Sequence, residues 1–155
     1  MNLELLNRVF ENDEDAIQDF ATSDNCAIID WRDGFSEILE EIIRFLPSAY
    51  ILFTEITPNT YRIAIDGKTT NIEVPIQAKQ ESLIDSANNL LQPNYEIRQF
   101  RATNGDAHSL FIAPSEFWSD LEVHNPEKVE KYFLSTARLS AFWNKGYFSR
   151  LFSKP

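Results

Sequence analysis

Four glycines, two histidines and a single cysteine, Cys26, in 155 residues leave several chemistries without their raw material. With so little glycine, and none clustered before a helix, there is no loop to cradle a phosphate. One cysteine forms no internal disulfide, a pattern that fits a reducing compartment. His108 and His124 stand apart, and neither has a ligating partner at a helical metal-binding step. The carboxylates Glu11, Asp13, Glu14, Asp15 and Asp19 are dense but lack the Asp/Asn–Gly–Glu register of a calcium loop. No serine elbow is present. No apolar run approaches the roughly 20 residues that span a bilayer. Met1–Asp15 carries acidic residues where a secretory leader needs positive charge, so the expected location is cytoplasmic. No metal and no cofactor is expected.

Basic residues are also scarce: 14 against 24 acidic, a formal net charge of −10. That balance argues against nucleic acid, whose phosphates are met by a basic stripe that releases counterions. The imbalance is uneven along the chain. Residues 1–130 hold 9 basic and 24 acidic side chains, a net of −15, whereas residues 131–155 hold 5 basic and none acidic.

What is present is core-forming. Hydrophobic residues make up 43% and aromatic ones 13%, with twelve phenylalanines, which places the chain among folded globular proteins. The length fits one domain, 1–155, able to bury a sizeable core. Pro47, Pro58, Pro75, Pro93, Pro114 and Pro126 all fall between periodic segments.

Residues 2–22 read as one or two short helices. Trp31, Phe35, Ile38, Leu39, Ile42, Ile43 and Leu46 then recur at steps of three and four, an amphipathic helix with Asp30 as its expected cap and Pro47 as its stop. Tyr50–Ile56, Tyr61–Ile65 and Thr70–Val74 carry strand patterns, turned at Thr57–Thr60 and Asp66-Gly67. A helix over Ala78–Gln92 follows. Tyr95–Thr103 and Asp106–Ala113 flank Asn104-Gly105, the strongest short hairpin signal. Leu110–Ala113 reads as a strand covered on both faces. Short helices over Ser115–Glu122 and from Pro126 onward complete the pattern, with a further helix expected over Arg138–Phe152. The expected class is α+β: an antiparallel sheet of about five strands (three-strand meander, helix, then a hairpin) with helices packed on it.

Three constellations are candidates for function. Glu11, Asp13, Glu14, Asp15 and Asp19, with Glu37, Glu40 and Glu41, form an acidic surface if their helices lie side by side. Arg101, Asp106 and His108 cluster near the 104–105 hairpin tip, where they can bind an anion or move a proton. Leu139, Phe142, Trp143, Tyr147 and Leu151 with Lys145, Arg150 and Lys154 form an aromatic basic segment, read foremost as core and otherwise as a docking element. Cys26 lacks a basic neighbour, so a Cys26–His108 thiolate pair is disfavoured against a buried structural cysteine. The reading that follows is an acidic cytosolic binding protein that occludes a basic protein partner, as an immunity-type inhibitor of a bacterial toxin would. An adaptor docking through the C-terminal segment and an enzyme using Arg101, Asp106 and His108 are the alternatives. A membrane partner is not expected.

Overall fold

A computed structural model describes residues 2–22, 24–48, 50–65, 67–75, 78–101 and 107–138. Among them are six helices: α1 (Leu3–Phe10), α2 (Glu14–Phe20), α3 (Phe35–Ile43), α4 (Gln80–Leu91), α5 (Ser115–His124) and α6 (Pro126–Tyr132). Seven strands accompany them: β1 (Ala27–Ile29), β2 (Ile51–Thr57), β3 (Thr60–Ile65), β4 (Lys68–Glu73), β5 (Tyr95–Phe100), β6 (His108–Pro114) and β7 (Phe133–Ser135). The class is α+β with every strand pairing antiparallel. The strands form two sheets where one of about five was expected: a meander β2-β3-β4 and a four-stranded sheet β1-β6-β5-β7.

The meander follows its turn residues. Thr57 pairs with Thr60 around Pro58-Asn59, and Ile65 pairs with Lys68 across a two-residue turn. Gly67 in that turn has φ +74°, a conformation that costs glycine nothing. In the second sheet, the pairs Ile97↔Ile112 and Gln99↔Leu110 give the register that an Asn104-Gly105 tip sets, and the tip itself, 102–106, lies outside the described residues.

Pleat alternation then sends β6 side chains to opposite faces. Leu110 and Ile112 join Ala27, Ile29 and Ile97 against α3, α4 and the inner face of the meander (Ile51, Tyr61, Ile63). Phe111 and Ala113 join Phe100 and Phe133 against α1, α2, α5 and α6. The four-stranded sheet therefore separates two cores, and β6 is buried from His108 to Ala113, as expected of a strand covered on both faces.

Two local expectations change. Helix α3 begins at Phe35 with Gly34 as its N-cap, because Asp30 is engaged elsewhere: its carboxylate accepts from Arg32, and Asp33 donates its N–H to the Asp30 carbonyl, closing a turn. Trp31 sits in that turn and is 63% exposed, outside the apolar stripe. Phe133, expected to continue the helix from Pro126, opens β7 instead and pairs with Phe100.

Candidate functional site

The eight acidic candidates are carried by different layers. Helices α1 and α2 form a tight pair. Asn2 caps α1 by accepting the Leu5 N–H at 3.1 Å, and Asp13 caps α2 by accepting from Ala16 at 3.1 Å. Asn12, at φ 63°, makes the turn between them. Helix α2 buries Ala16 and Phe20 and turns Glu14, Asp15 and Asp19 to solvent, with Glu11 exposed at the end of α1. Asp13 is held by its cap bond to Ala16 and by Arg8 at 2.7 Å, both of which depress its pKa. Among the described residues, none of Glu11, Glu14, Asp15 and Asp19 forms an ion pair.

The acids of α3 are differently employed. Glu37 turns back to accept the Gly34 N–H at 3.1 Å, and Glu41 accepts from Arg44 at 2.7 Å, which leaves Glu40 exposed. Since α3 packs on the opposite face of the four-stranded sheet from α2, the two acidic groups do not share a helix layer. Of the eight candidates, the exposed carboxylates without ion pairs among the described residues lie mostly on and beside α2 (Glu11, Glu14, Asp15 and Asp19).

The hairpin candidates also part company. Asp106 lies outside the described residues. Arg101 donates Nη1 to the Glu130 carbonyl at 2.7 Å and its backbone N–H to the Tyr132 carbonyl, so it tethers the C-terminal end of α6, where a cation meets the negative end of the helix dipole. Burial lowers the Arg101 pKa. His108 faces the other core, opposite Ile29, with Glu81 of α4 as its charged neighbour. Burial lowers its pKa, and Glu81 opposes that shift without cancelling it. Cys26 is fully buried, donates to the Phe20 carbonyl, and has its thiol pKa pushed up to about 12 by burial; it is an inert structural thiol. Residues 139–155, with the aromatic basic segment, lie outside the described residues.

One buried charge stands out that the sequence reading did not single out. Arg98 is 8% exposed; its Nε reaches Glu96 and its Nη1 reaches Glu122, each at 2.6 Å, while its guanidinium lies 4.4 Å from the Trp118 ring centre. Burial acts to lower the Arg98 pKa, and the bonds to Glu96 and Glu122 outweigh it, so the net direction is upward. The available signal was Glu96-Ile97-Arg98, where pleating puts two opposite charges on one face of a strand otherwise committed to the core. With both arms occupied, Arg98 is a clamp between β5 and α5.

Among the described residues no group of three or more His, Cys, Asp or Glu side chains is placed to hold a metal ion, and no helix is long and apolar enough to cross a membrane. No protein family, curated protein or solved structure with which the chain was compared matches it.

Proposed function

We propose that this protein is an acidic binding protein that acts by occluding a basic protein partner, in the manner of an immunity protein that neutralises a bacterial toxin in the cytoplasm. The observation that carries the reading is the outer face of α2: Glu14, Asp15 and Asp19, with Glu11 beside them, exposed and without ion pairs among the described residues. A one-signed surface of this kind accelerates encounter with an oppositely charged protein and disfavours wrong partners. Occlusion needs no reacting group of its own, so the partner's chemistry is blocked by contact alone. Arg101 is engaged with α6 and His108 faces the aliphatic core, an arrangement that favours binding over turnover as the role.

The test is capture of the partner from the native host, followed by measurement of its affinity and of its own activity with and without this protein. The expected partner is basic, and its affinity falls steeply as salt is raised from about 0.05 to 0.5 M, where screening shortens the reach of exposed charges. Glu14→Lys, Asp15→Lys and Asp19→Lys together abolish capture and inhibition while the thermal melt is retained. A partner bound equally well by this triple variant overturns the proposal.

A further inference from the structure

Strand β1 is only three residues long, and its pairing with β6 ends at Ala27↔Leu110. Before Ala27 the chain bends away: Cys26 and Asn25 both donate their N–H to the Thr22 carbonyl, which turns the backbone back toward α2. Strand β6, however, continues to Pro114. The edge of β6 from Phe111 to Pro114, on the side where an extended chain before Ala27 would have run, therefore has no ladder partner among the described residues. Main-chain groups along such an edge are a template for another strand.

The same place is a groove of about 960 Å³. Its floor is β6 at Phe111 and Ile112; Leu3 of α1 forms one wall and Phe45, just after α3, the other. These walls belong to the two different layers, so side chains alternating along an added strand meet Leu3 and Phe111 on one face and Phe45 and Ile112 on the other. Leu3 is 54% exposed, an apolar surface that no element among the described residues covers. The charges at the groove favour a cation. Asp24 is exposed and forms no ion pair among the described residues, whereas the lining Arg44 is already held by Glu41 at 2.7 Å. Asn25 donates to the Asp19 carbonyl, which joins this end of the groove to the acidic face of α2.

We propose that this groove receives an extended segment of the basic partner as a strand added along β6 in line with β1, its alternating apolar side chains packing on Leu3 and Phe45 and a lysine or arginine meeting Asp24. This deepens the occlusion reading and rests on it: the carboxylates of α2 steer the partner, and the groove provides the main-chain contacts of β-strand addition.

The test uses the full-length protein and three fluorescent peptides of about eight residues, enough to run past four strand positions at roughly 3.3 Å each. The valine–lysine peptide is a run of valines, which offers an apolar side chain to both walls, with lysine at its ends. The valine–glutamate peptide is the same run with glutamate at its ends, and the third is oligolysine. The valine–lysine peptide is expected to bind tightest and to slow amide hydrogen exchange at Ile112, whose N–H faces the open edge. The alternate β6 amides of Phe111 and Ala113 face β5, and Pro114 has none. Asp24→Lys and Leu3→Glu, both at exposed positions, each weaken it about tenfold, the size of one charge-assisted or anchoring contact, and N-methylation of alternate peptide amides abolishes it. Binding of oligolysine equal to that of valine–lysine, or protection appearing only on α2, overturns the groove and leaves the acidic-surface reading standing. So does self-association of the protein that Leu3→Glu removes, since the occupant is then a second copy. The converse pattern, groove binding intact with no basic host protein sensitive to the α2 reversals, overturns the occlusion reading alone.

Discussion

On one face of the four-stranded sheet, Ile29, Ile97, Leu110 and Ile112 meet Ile38, Leu39 and Ile42 of α3 and Ile84 and Leu91 of α4. On the other, Phe100, Phe111 and Phe133 meet Phe20 of α2, Trp118 of α5 and Tyr132 of α6. The aliphatic side needs periodic helices, because each branched side chain covers little area and many must line up. The aromatic side is assembled from helices of 7 to 10 residues, each contributing one or a few rings. A ring buries roughly 150–250 Å², so a seven-residue helix such as α2 is anchored largely by Phe20, whose ring centre lies 4.9 Å from that of Phe100 and 5.1 Å from that of Phe111. Trp118 meets Phe111 at 5.5 Å and 87°, and Phe133 at 5.0 Å and 73°, the edge-on geometry that ring quadrupoles favour.

The two sides also tolerate different polar groups. The aromatic side holds Arg98, since a ring face attracts a cation and Glu96 and Glu122 supply the counter-charge. On the aliphatic side the buried polar groups are Asn88, Thr136 and His108, with two half-buried acids at the margin: Asp85, which accepts from Thr136 at 2.8 Å, and Glu81 near His108. Asn88 accepts the Ile97 N–H at 2.7 Å and donates to Thr136 at 3.1 Å, which satisfies β5 at the point where β7 stops pairing with it. His108 is held toward its neutral form by burial.

Truncating Trp118 to alanine gives the largest expected loss, about 3–5 kcal/mol, against about 2–5 kcal/mol for Leu39→Ala. Urea denaturation of both single variants and the double measures this. Because the sheet stands between them, the two losses should add within roughly 0.5 kcal/mol. Strong coupling would mean that the two cores behave as one.

The clamp gives the next effect. Arg98→Ala strands the Glu96 carboxylate beside the aromatic core and costs about 3 kcal/mol, as expected when one partner of a buried pair is removed. Glu122→Gln costs under about 1 kcal/mol, because that side chain is half-exposed and water replaces the lost charge. Equal losses for the two variants would contradict a clamp centred on Glu96 and Trp118.

The smallest effect is a pH dependence of the aliphatic side. The folded state holds His108 below the ordinary imidazole value of about 6.5. The unfolded chain then binds more protons as pH falls through that value, so stability is full above about 6.5 and declines below it, until the folded-state pKa is also passed. The denaturation midpoint of His108→Gln should lose this His108-dependent part of the decline between pH 7 and 5. A wild-type decline that persists unchanged in the variant would assign it to the carboxylates.

The hairpin register, α4, the meander and the doubly buried β6 were legible because each is written in local periodicity and turn chemistry. Strands β1 and β7 were not: three residues show no alternation, and each is a strand only because β6 or β5 offers an edge. The α3 cap was misread because Asp30 and Asp33 bond within their own turn, a competition that sequence spacing does not rank. For the candidate site, the excess of acid was plain from composition, whereas the separation of α2 from α3 by a sheet was not.

The chain alone determined its class, its strand register around glycine-containing turns, and a strong negative charge, because these depend on neighbours within a few positions. Tertiary structure decided which carboxylates α2 exposes, how Arg98 is neutralised, and that β1 stops short beside an edge of β6 left open among the described residues. Each of these depends on segments far apart in sequence meeting across a sheet, and pairing energies at such separations leave no local mark.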